Sequence, residues 1–480
     1  MLSTTALTAV LLPTVTLACH DHLRIERRAF NAARGVSAGP TGAAASRATI
    51  LNAVPECTYY NYPPVNDIID SYPEIWVTAD ISYPTVPSEA TSLFESIKAG
   101  IPAIAPRGDR AGDFTGVVYD GEKDPDCWWS YSRCTRPKLK TLSNDVTQCR
   151  EPNTLGFTLD DGPNCSHNAY FDYLQSIEMK ATLFYIGSNV LDWPLEAQRG
   201  LADGHEICSH TWSHPYMTSM TDEQAFAELY FSKKAIKDVL GVTVRCWRPP
   251  YGDVDDRIRY IAQALDMRTI IWNEDTDDYS WNTLGINAIR KNYQAILDKQ
   301  KAGKYNKRGV IVLAHEIDNG TMQLSEEFLP QLMEQFTGGV MPVAVCMNNT
   351  QPYVEAAAYT YPNYAQWMAG ARSISLTLPT AAGKANEKLV FNQGSSDATA
   401  AAVAVKTASP KSGSSARARL NTAAASTSVT SAAASTSATS AAAPGAPALL
   451  QHAESGTSST HAAGVAAALV GVLASAAALL

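Results

Sequence analysis

The sequence predicts an α/β protein: an incomplete barrel of alternating strands and helices, with an irregular extension before it and a disordered Ser/Thr/Ala-rich stalk after it. Three observations carry this. Between residues 150 and 347, short apolar runs alternate with helical stretches, the rhythm of a parallel sheet. Seven such units in about 200 residues suit an incomplete barrel better than an open sheet. From Ala398 to Leu480 there is no aromatic residue, and Glu454 is the single acid. Burial there cannot offset the entropy of ordering. That stretch also explains why charged residues make up only 18% of the 480-residue chain, against the usual ~25%.

In chain order, residues 1–18 resemble a secretory signal: small and apolar, with a Thr16-x-Ala18 cleavage-like end, although no Lys or Arg precedes Arg24. Residues 19–50 read as a pro-segment or linker. Residues 51–148, rich in Pro, Tyr and Trp, read as an irregular extension packed on the main domain. The main folded domain is expected at 149–347. A transition follows at 348–397, with a possible strand at 373–378. Residues 398–455 resemble an O-glycosylated stalk.

The last segment, 456–480, ends in an uncharged stretch from Ala462 to Leu480 that is long enough to span a bilayer. Nine of its nineteen residues are Ala, and no basic residue follows it. Ser455, Gly456 and Thr457 lie just upstream, so the pattern is that of a glycosylphosphatidylinositol (GPI) attachment signal, removed on processing. Ser455 is the expected attachment point and Gly445 the alternative. The chain is therefore expected to be secreted and anchored to the outer face of the cell membrane by a GPI lipid.

A net charge of −9 and a pI near 5.5 exclude a nucleic-acid binder. Setting aside Cys19 at the cleavage point, eight cysteines remain: 57, 127, 134, 149, 165, 208, 246 and 346. An even count in a secreted chain implies disulfides, and without a C-x-x-C a cysteine-based zinc site is not expected. Sequons at Asn164, Asn319 and Asn348 agree with secretion.

The seven apolar runs are 155–159, 182–186, 205–208, 244–247, 269–272, 310–314 and 341–345. The clearest helix is 222–240, where Thr221 and Gln224 form a capping box and Gly241 follows the last turn. In parallel barrels, chemistry gathers on loops at the C-terminal strand ends, and the polar clusters fall there. Asp160-Asp161-Gly162-Pro163 follows the first run. Adjacent carboxylates repel unless a cation or proton intervenes, and alternation along a strand lets one face a metal and the other the substrate. Alone, the tetrapeptide is ordinary turn chemistry. His210 and His214, in SHTWSHP after the third run, are four apart and can ligate one divalent ion together with Asp161. RPPYG (Arg248 to Gly252), DTDDY (Asp275 to Tyr279) and LAH (ending at His315) close three further runs. Five polar clusters at five strand ends point to one site.

TLDDGP, SHTWSHP, RPPYG, DTDDY and LAH, in this order and spacing, resemble the five motifs of the polysaccharide deacetylase family, the NodB-homology group or carbohydrate esterase family four. With the signal, stalk and anchor-like tail, the resemblance is closest to fungal, GPI-anchored members acting on chitin. It implies a distorted (β/α)7 barrel that hydrolyses N-acetyl groups of chitin N-acetylglucosamine units, giving chitosan and acetate in the cell wall. It also implies residue roles. Asp161, His210 and His214 would hold one divalent metal ion, Zn2+ in the first place and Co2+ or Mn2+ otherwise. Asp160 would be the general base and His315 the general acid. Tyr251 would offer a backbone N–H to the oxyanion and line the groove, Arg248 would orient Asp160, and Asp278 would orient His315. The family usually has Trp where Tyr279 stands; Tyr279 and Trp281 are taken as substrate-binding in its place.

Closing a barrel brings its first and last elements together, so Cys149 and Cys346 are expected to be bridged, a pairing the resemblance also favours. A monomer is expected. Two alternatives stay open: an O-acetyl esterase on another glycan such as acetylated xylan, and a catalytically silent chitin-binding wall protein. The second would have lost a ligand or the base, and none is lost.

Overall fold

The computed structural model describes residues 40–83, 86–355, 359–372 and 375–376. The predicted signal, most of the linker, the stalk and Ser455 with its tail lie outside them. At its centre is an eight-stranded sheet: β1 Leu155–Gly162, β2 Thr182–Tyr185, β3 Glu206–Ser209, β4 Cys246–Trp247, β5 Arg268–Thr269, β6 Glu274–Asp275, β7 Val310–His315 and β8 Val340–Met341. The order is β5-β4-β3-β2-β1-β7-β6, with β8 also on β1, and every pairing in it is parallel. No ladder joins β5 to β6, so the barrel is open there, as a distorted (β/α)7 barrel is.

Register sets the site. Asp160 on β1 lies opposite His315 on β7, and Ser209 on β3 lies opposite both Tyr185 on β2 and Trp247 on β4. The residues that follow these positions therefore emerge together at one end. The helix Asp222–Leu240 carries both halves of the Thr221–Gln224 capping box and ends on Gly241 at φ 77°, a left-handed turn that costs glycine little.

Several elements differ from expectation. The seventh run gives only Val340–Met341 as strand, and Val343–Cys346 is helix. Pro342, at the helix N-cap, has no N–H for the ladder. β6 was not among the runs, because Glu274–Asp275 is acidic and carries no apolar signal. Past β5 the pairing partner comes from the extension: Val146 N–H donates to the Thr269 carbonyl (2.9 Å), and Ile271 N–H to that of Val146 (2.9 Å). A strand edge at the gap is thereby covered.

The flanks are also more ordered than their composition suggested. Gly42–Arg47, expected in a linker, is a helix held by the Arg47–Glu196 ion pair (2.8 Å). The extension contains an 11-residue helix, Ser88–Lys98, whose Ala90 and Phe94 are buried; Phe94 meets Phe226 edge-on at 5.3 Å. Near the C-terminal end, Ser375–Leu376 pairs antiparallel with Tyr359–Thr360. Four disulfides join Cys57–Cys165, Cys127–Cys134, Cys149–Cys346 and Cys208–Cys246.

Candidate active site

The Asp pair sits on a β-bulge. The β1–β2 register shifts between Asp160 and Gly162, and Asp161 has φ 72°. Simple alternation would have pointed the two carboxylates apart; the bulge re-aims one of them, so both face His210 and Asp161 also faces His214. Asp161 Oδ1 is 3.3 Å from His210 Nε2 and 3.1 Å from His214 Nε2, while Asp160 Oδ2 is 3.7 Å from His210 Nε2. Despite this proximity, Asp161 Oδ1 is buried without a hydrogen-bond partner.

A divalent cation fits these residues. Ligand atoms of Asp161, His210 and His214 all lie within 4.8 Å of one another, the donor set is two imidazoles and a carboxylate, and the orphaned oxygen points to a missing positive charge. The other ring nitrogens are already engaged: His210 Nδ1 with the Arg248 carbonyl (2.8 Å) and His214 Nδ1 with the Tyr251 hydroxyl (3.2 Å). Such partners fix tautomer and ring orientation at metal centres. Two further carboxylate–cysteine groups, Asp124 with Cys127 and Cys134, and Glu206 with Cys208 and Cys246, are no ligand sets, because their sulfurs are oxidised to disulfides.

Arg248 is fully buried; its Nη1 donates to Asp160 Oδ1 (2.7 Å) and Thr158 Oγ1 (2.8 Å), and its guanidinium lies 4.1 Å from the Phe184 ring centre. Across the register, Asp278 Oδ1 is 2.5 Å from His315 Nδ1, and Asp278 Oδ2 accepts the His315 backbone N–H (2.9 Å). Burial alone would lower the His315 pKa, but the Asp278 charge and hydrogen bond, with Asp161 and Asp160 behind them, hold it at about 10. Its imidazole keeps a proton. Tyr251 has left-handed backbone at φ 57°, and its ring stacks on Tyr216 at 4.0 Å. Tyr279 packs edge-on against His315 at 5.3 Å. Trp281 instead turns its indole N–H to Asp318 (3.1 Å to each oxygen), the residue that caps the helix Asn319–Gln335.

Asn164 lies just past β1, Asn319 opens the helix Asn319–Gln335, and Asn348 lies in a turn. Asn164 accepts from Ser166 N–H and Oγ–H (2.8 Å each), and its amide N–H donates to the Ile317 carbonyl. Asn319 accepts from Ser166 Oγ–H (3.4 Å), and Asn348 Oδ1 accepts the Tyr364 N–H (2.9 Å).

Two acids went unnoticed in the sequence. Glu228 Oε2 accepts the N–H groups of Trp212 (3.0 Å) and Ser213 (2.8 Å), and Oε1 accepts Ser213 Oγ–H (2.7 Å) and Ala79 N–H (2.8 Å). It holds the histidine loop. Glu316, next to His315, lies beneath the Asp loop: Oε1 accepts the Asn164 N–H (3.0 Å) and is 3.6 Å from His167 Nδ1. A Cβ at Gly162 would strike that carboxyl. Burial pushes Glu316 up to about 8. The sequence signal for both was weak: an acid on the apolar side of a helix, and an acid after a motif.

Residues 147–270 match the polysaccharide deacetylase family. The chain is 48% identical over 340 residues to chitin deacetylase 2 of Cryptococcus neoformans var. grubii serotype A, covering 69% of this chain and 73% of that protein. It is 44% identical over 316 residues to the chitin deacetylase of Amylomyces rouxii, covering 65% and 74%. Among solved structures, the chitin deacetylase of the fungal pathogen Colletotrichum lindemuthianum is similar at 23% identity over 44% of this chain and 96% of that one, with a TM-score of 0.41. The chain belongs to the polysaccharide deacetylase family.

Proposed function

We infer that this enzyme removes N-acetyl groups from chitin, leaving glucosamine units and free acetate. The observation that carries this is the meeting of Asp160, His315 and the Asp161–His210–His214 triad at one strand end, in a chain nearly half identical to a fungal protein named for that activity.

A divalent cation held by Asp161, His210 and His214 would polarise the amide carbonyl and acidify water, and the donor set favours Zn2+ over Co2+ or Mn2+. Asp160, oriented by its bond to buried Arg248, accepts the proton of the attacking water. The water oxygen bonds to the carbonyl carbon, and the Tyr251 N–H stabilises the developing oxyanion. The C–N bond then breaks as His315, kept protonated by Asp278, donates its proton to the departing amine. Tyr251 and Tyr279, about half exposed beside the two histidines, offer faces to the sugar.

The enzyme works outside the cell. Its precursor loses residues 1–18 and receives a GPI lipid near Ser455, so that the 398–455 stalk displays the barrel at the wall. Four disulfides among the described residues support an oxidising compartment. A phosphatidylinositol-specific phospholipase should release protein from membranes; a mature C-terminal peptide still containing Leu480 would refute the lipid anchor.

Measuring acetate release from chitin oligomers beside acetylated xylan tests the activity. A chelator should abolish release from chitin and zinc or cobalt restore it. Release from xylan alone would reassign the enzyme as an O-acetyl esterase, and release from neither would leave a silent binding protein.

A further inference from the structure

Trp76 belongs to the N-terminal extension, yet it is tied to the metal-ligand loop. One nitrogen of Arg110, Nη2, donates both to the Trp76 carbonyl (3.2 Å) and to the carbonyl of Ser213 (2.8 Å), the residue before His214. The Trp76 N–H donates to Ser188 Oγ (3.0 Å), and that hydroxyl donates to the Trp212 carbonyl (2.7 Å). The next residue, Asn189, donates to the Asp161 carbonyl (2.8 Å). The Trp76 side chain also reaches Asp192, the last residue of the helix Gly187–Asp192. Trp76 is thus fixed between the two loops that carry the ligand triad.

Its conformation is unusual for a residue with only a packing role. The backbone is left-handed at φ 64°, which is uncommon for a bulky side chain and marks functional sites more often than frameworks. The ring remains 43% exposed, although tryptophan usually buries most of its area. Two other aromatic rings at the triad are similarly exposed, Tyr251 at 49% and Tyr279 at 50%. They contact His214 and His315 respectively. Trp76 adds a third exposed aromatic residue, supplied by a segment outside the barrel and tied by its backbone, through Arg110, to the loop before His214.

We propose that Trp76 is a substrate-binding platform that stacks on a sugar ring of the polymer beyond the unit being deacetylated. A pyranose ring offers a face of C–H groups that suits an indole, and polar tethers fix the platform while leaving a face open. The proposal rests on the enzyme acting on a glycan polymer and adds a residue that selects for chain length.

In the full chain, Trp76→Ala should lower the ratio of kcat/KM for a chitin hexamer over a dimer by about tenfold, mainly through KM, and Trp76→Phe should recover most of it. An equal fall on both oligomers, or an unchanged ratio, would overturn the proposal. Should the alanine variant fail to fold, N-bromosuccinimide oxidation of the wild type decides: hexamer should protect Trp76 in the peptide map, and undiminished oxidation refutes the platform. Failure of the chitin reading looks different, since wild type would release no acetate from either oligomer. The same ratio and protection tests with short and long acetylated xylan oligomers would then judge Trp76.

Discussion

At Asp160 and Asp161, one bulge decides which carboxylate does what. Both face the histidines, but Asp160 is bonded to buried Arg248 while Asp161 has a buried oxygen with no partner. Asp160→Asn should therefore keep the metal and lose about 10²–10⁴-fold in kcat, the range for one general base. Asp161→Asn and His210→Ala should lose metal as well, read as metal content beside acetate release; normal turnover in all three would return the pair to turn chemistry. The cluster itself was legible because each motif is local and ends an apolar run. The bulge was not, because a left-handed non-glycine residue leaves no mark in the sequence. Glu316 gives a pH dependence. Its carboxyl is held at about 8 by burial, so between its ordinary value and about 8 the folded state binds the proton and the unfolded state does not. Stability should then fall as pH rises through that window. Glu316→Gln should flatten that slope in melts taken from pH 5 to pH 8; an unaltered slope would assign it to other groups.

At the level of elements, the apolar runs located seven of the eight strands, because buried parallel strands are nearly continuous hydrophobic stretches. β6 was missed because pairing with β7, not hydrophobicity, makes it a strand. The seventh run was read too long because Pro342 turns the chain into a helix. The capping box at Thr221 was plain, since all its residues are adjacent, yet the helix it begins holds a function its pattern hid. Glu228 projects from that helix into the histidine loop and accepts four hydrogen bonds. Glu228→Ala would leave buried N–H groups of Trp212, Ser213 and Ala79 unpaired, at roughly 1–3 kcal/mol each. The variant should melt at lower temperature and bind zinc more weakly, whereas Glu228→Gln, which keeps an acceptor, should lose less. Equal metal affinity in all three proteins would confine Glu228 to a structural role.

Over the whole molecule, the extension is the part composition described least well, because its order comes from contacts with the barrel and not from its own periodicity. Val146 covers the β5 edge. Tyr72 OH bonds Asp238 (2.7 Å), Arg259 pairs with Asp145 (2.8 Å), and Cys57–Cys165 fastens the segment just past the Asp loop. Cys149–Cys346 then links the segment leading into β1 to the end of the helix after β8, a sequence separation of 197. By loop-closure entropy such a bridge contributes about 5 kcal/mol at most, since strain reduces it. Two variants separate these contributions. Replacing Cys149 and Cys346 together by Ala should lower stability by up to that amount and leave a folded enzyme that still binds zinc, because the sheet pairings persist. Deleting residues 40–148 should do worse: it bares a strand edge, removes the Tyr72 and Asp145 partners of Asp238 and Arg259, and removes the Ala79 N–H that donates to Glu228. The expected result is a barrel that is insoluble or melts without a cooperative transition, monitored by calorimetry and near-ultraviolet circular dichroism. A truncated barrel with wild-type melting and acetate release would show that the extension is dispensable and that the β5 edge is stable in water.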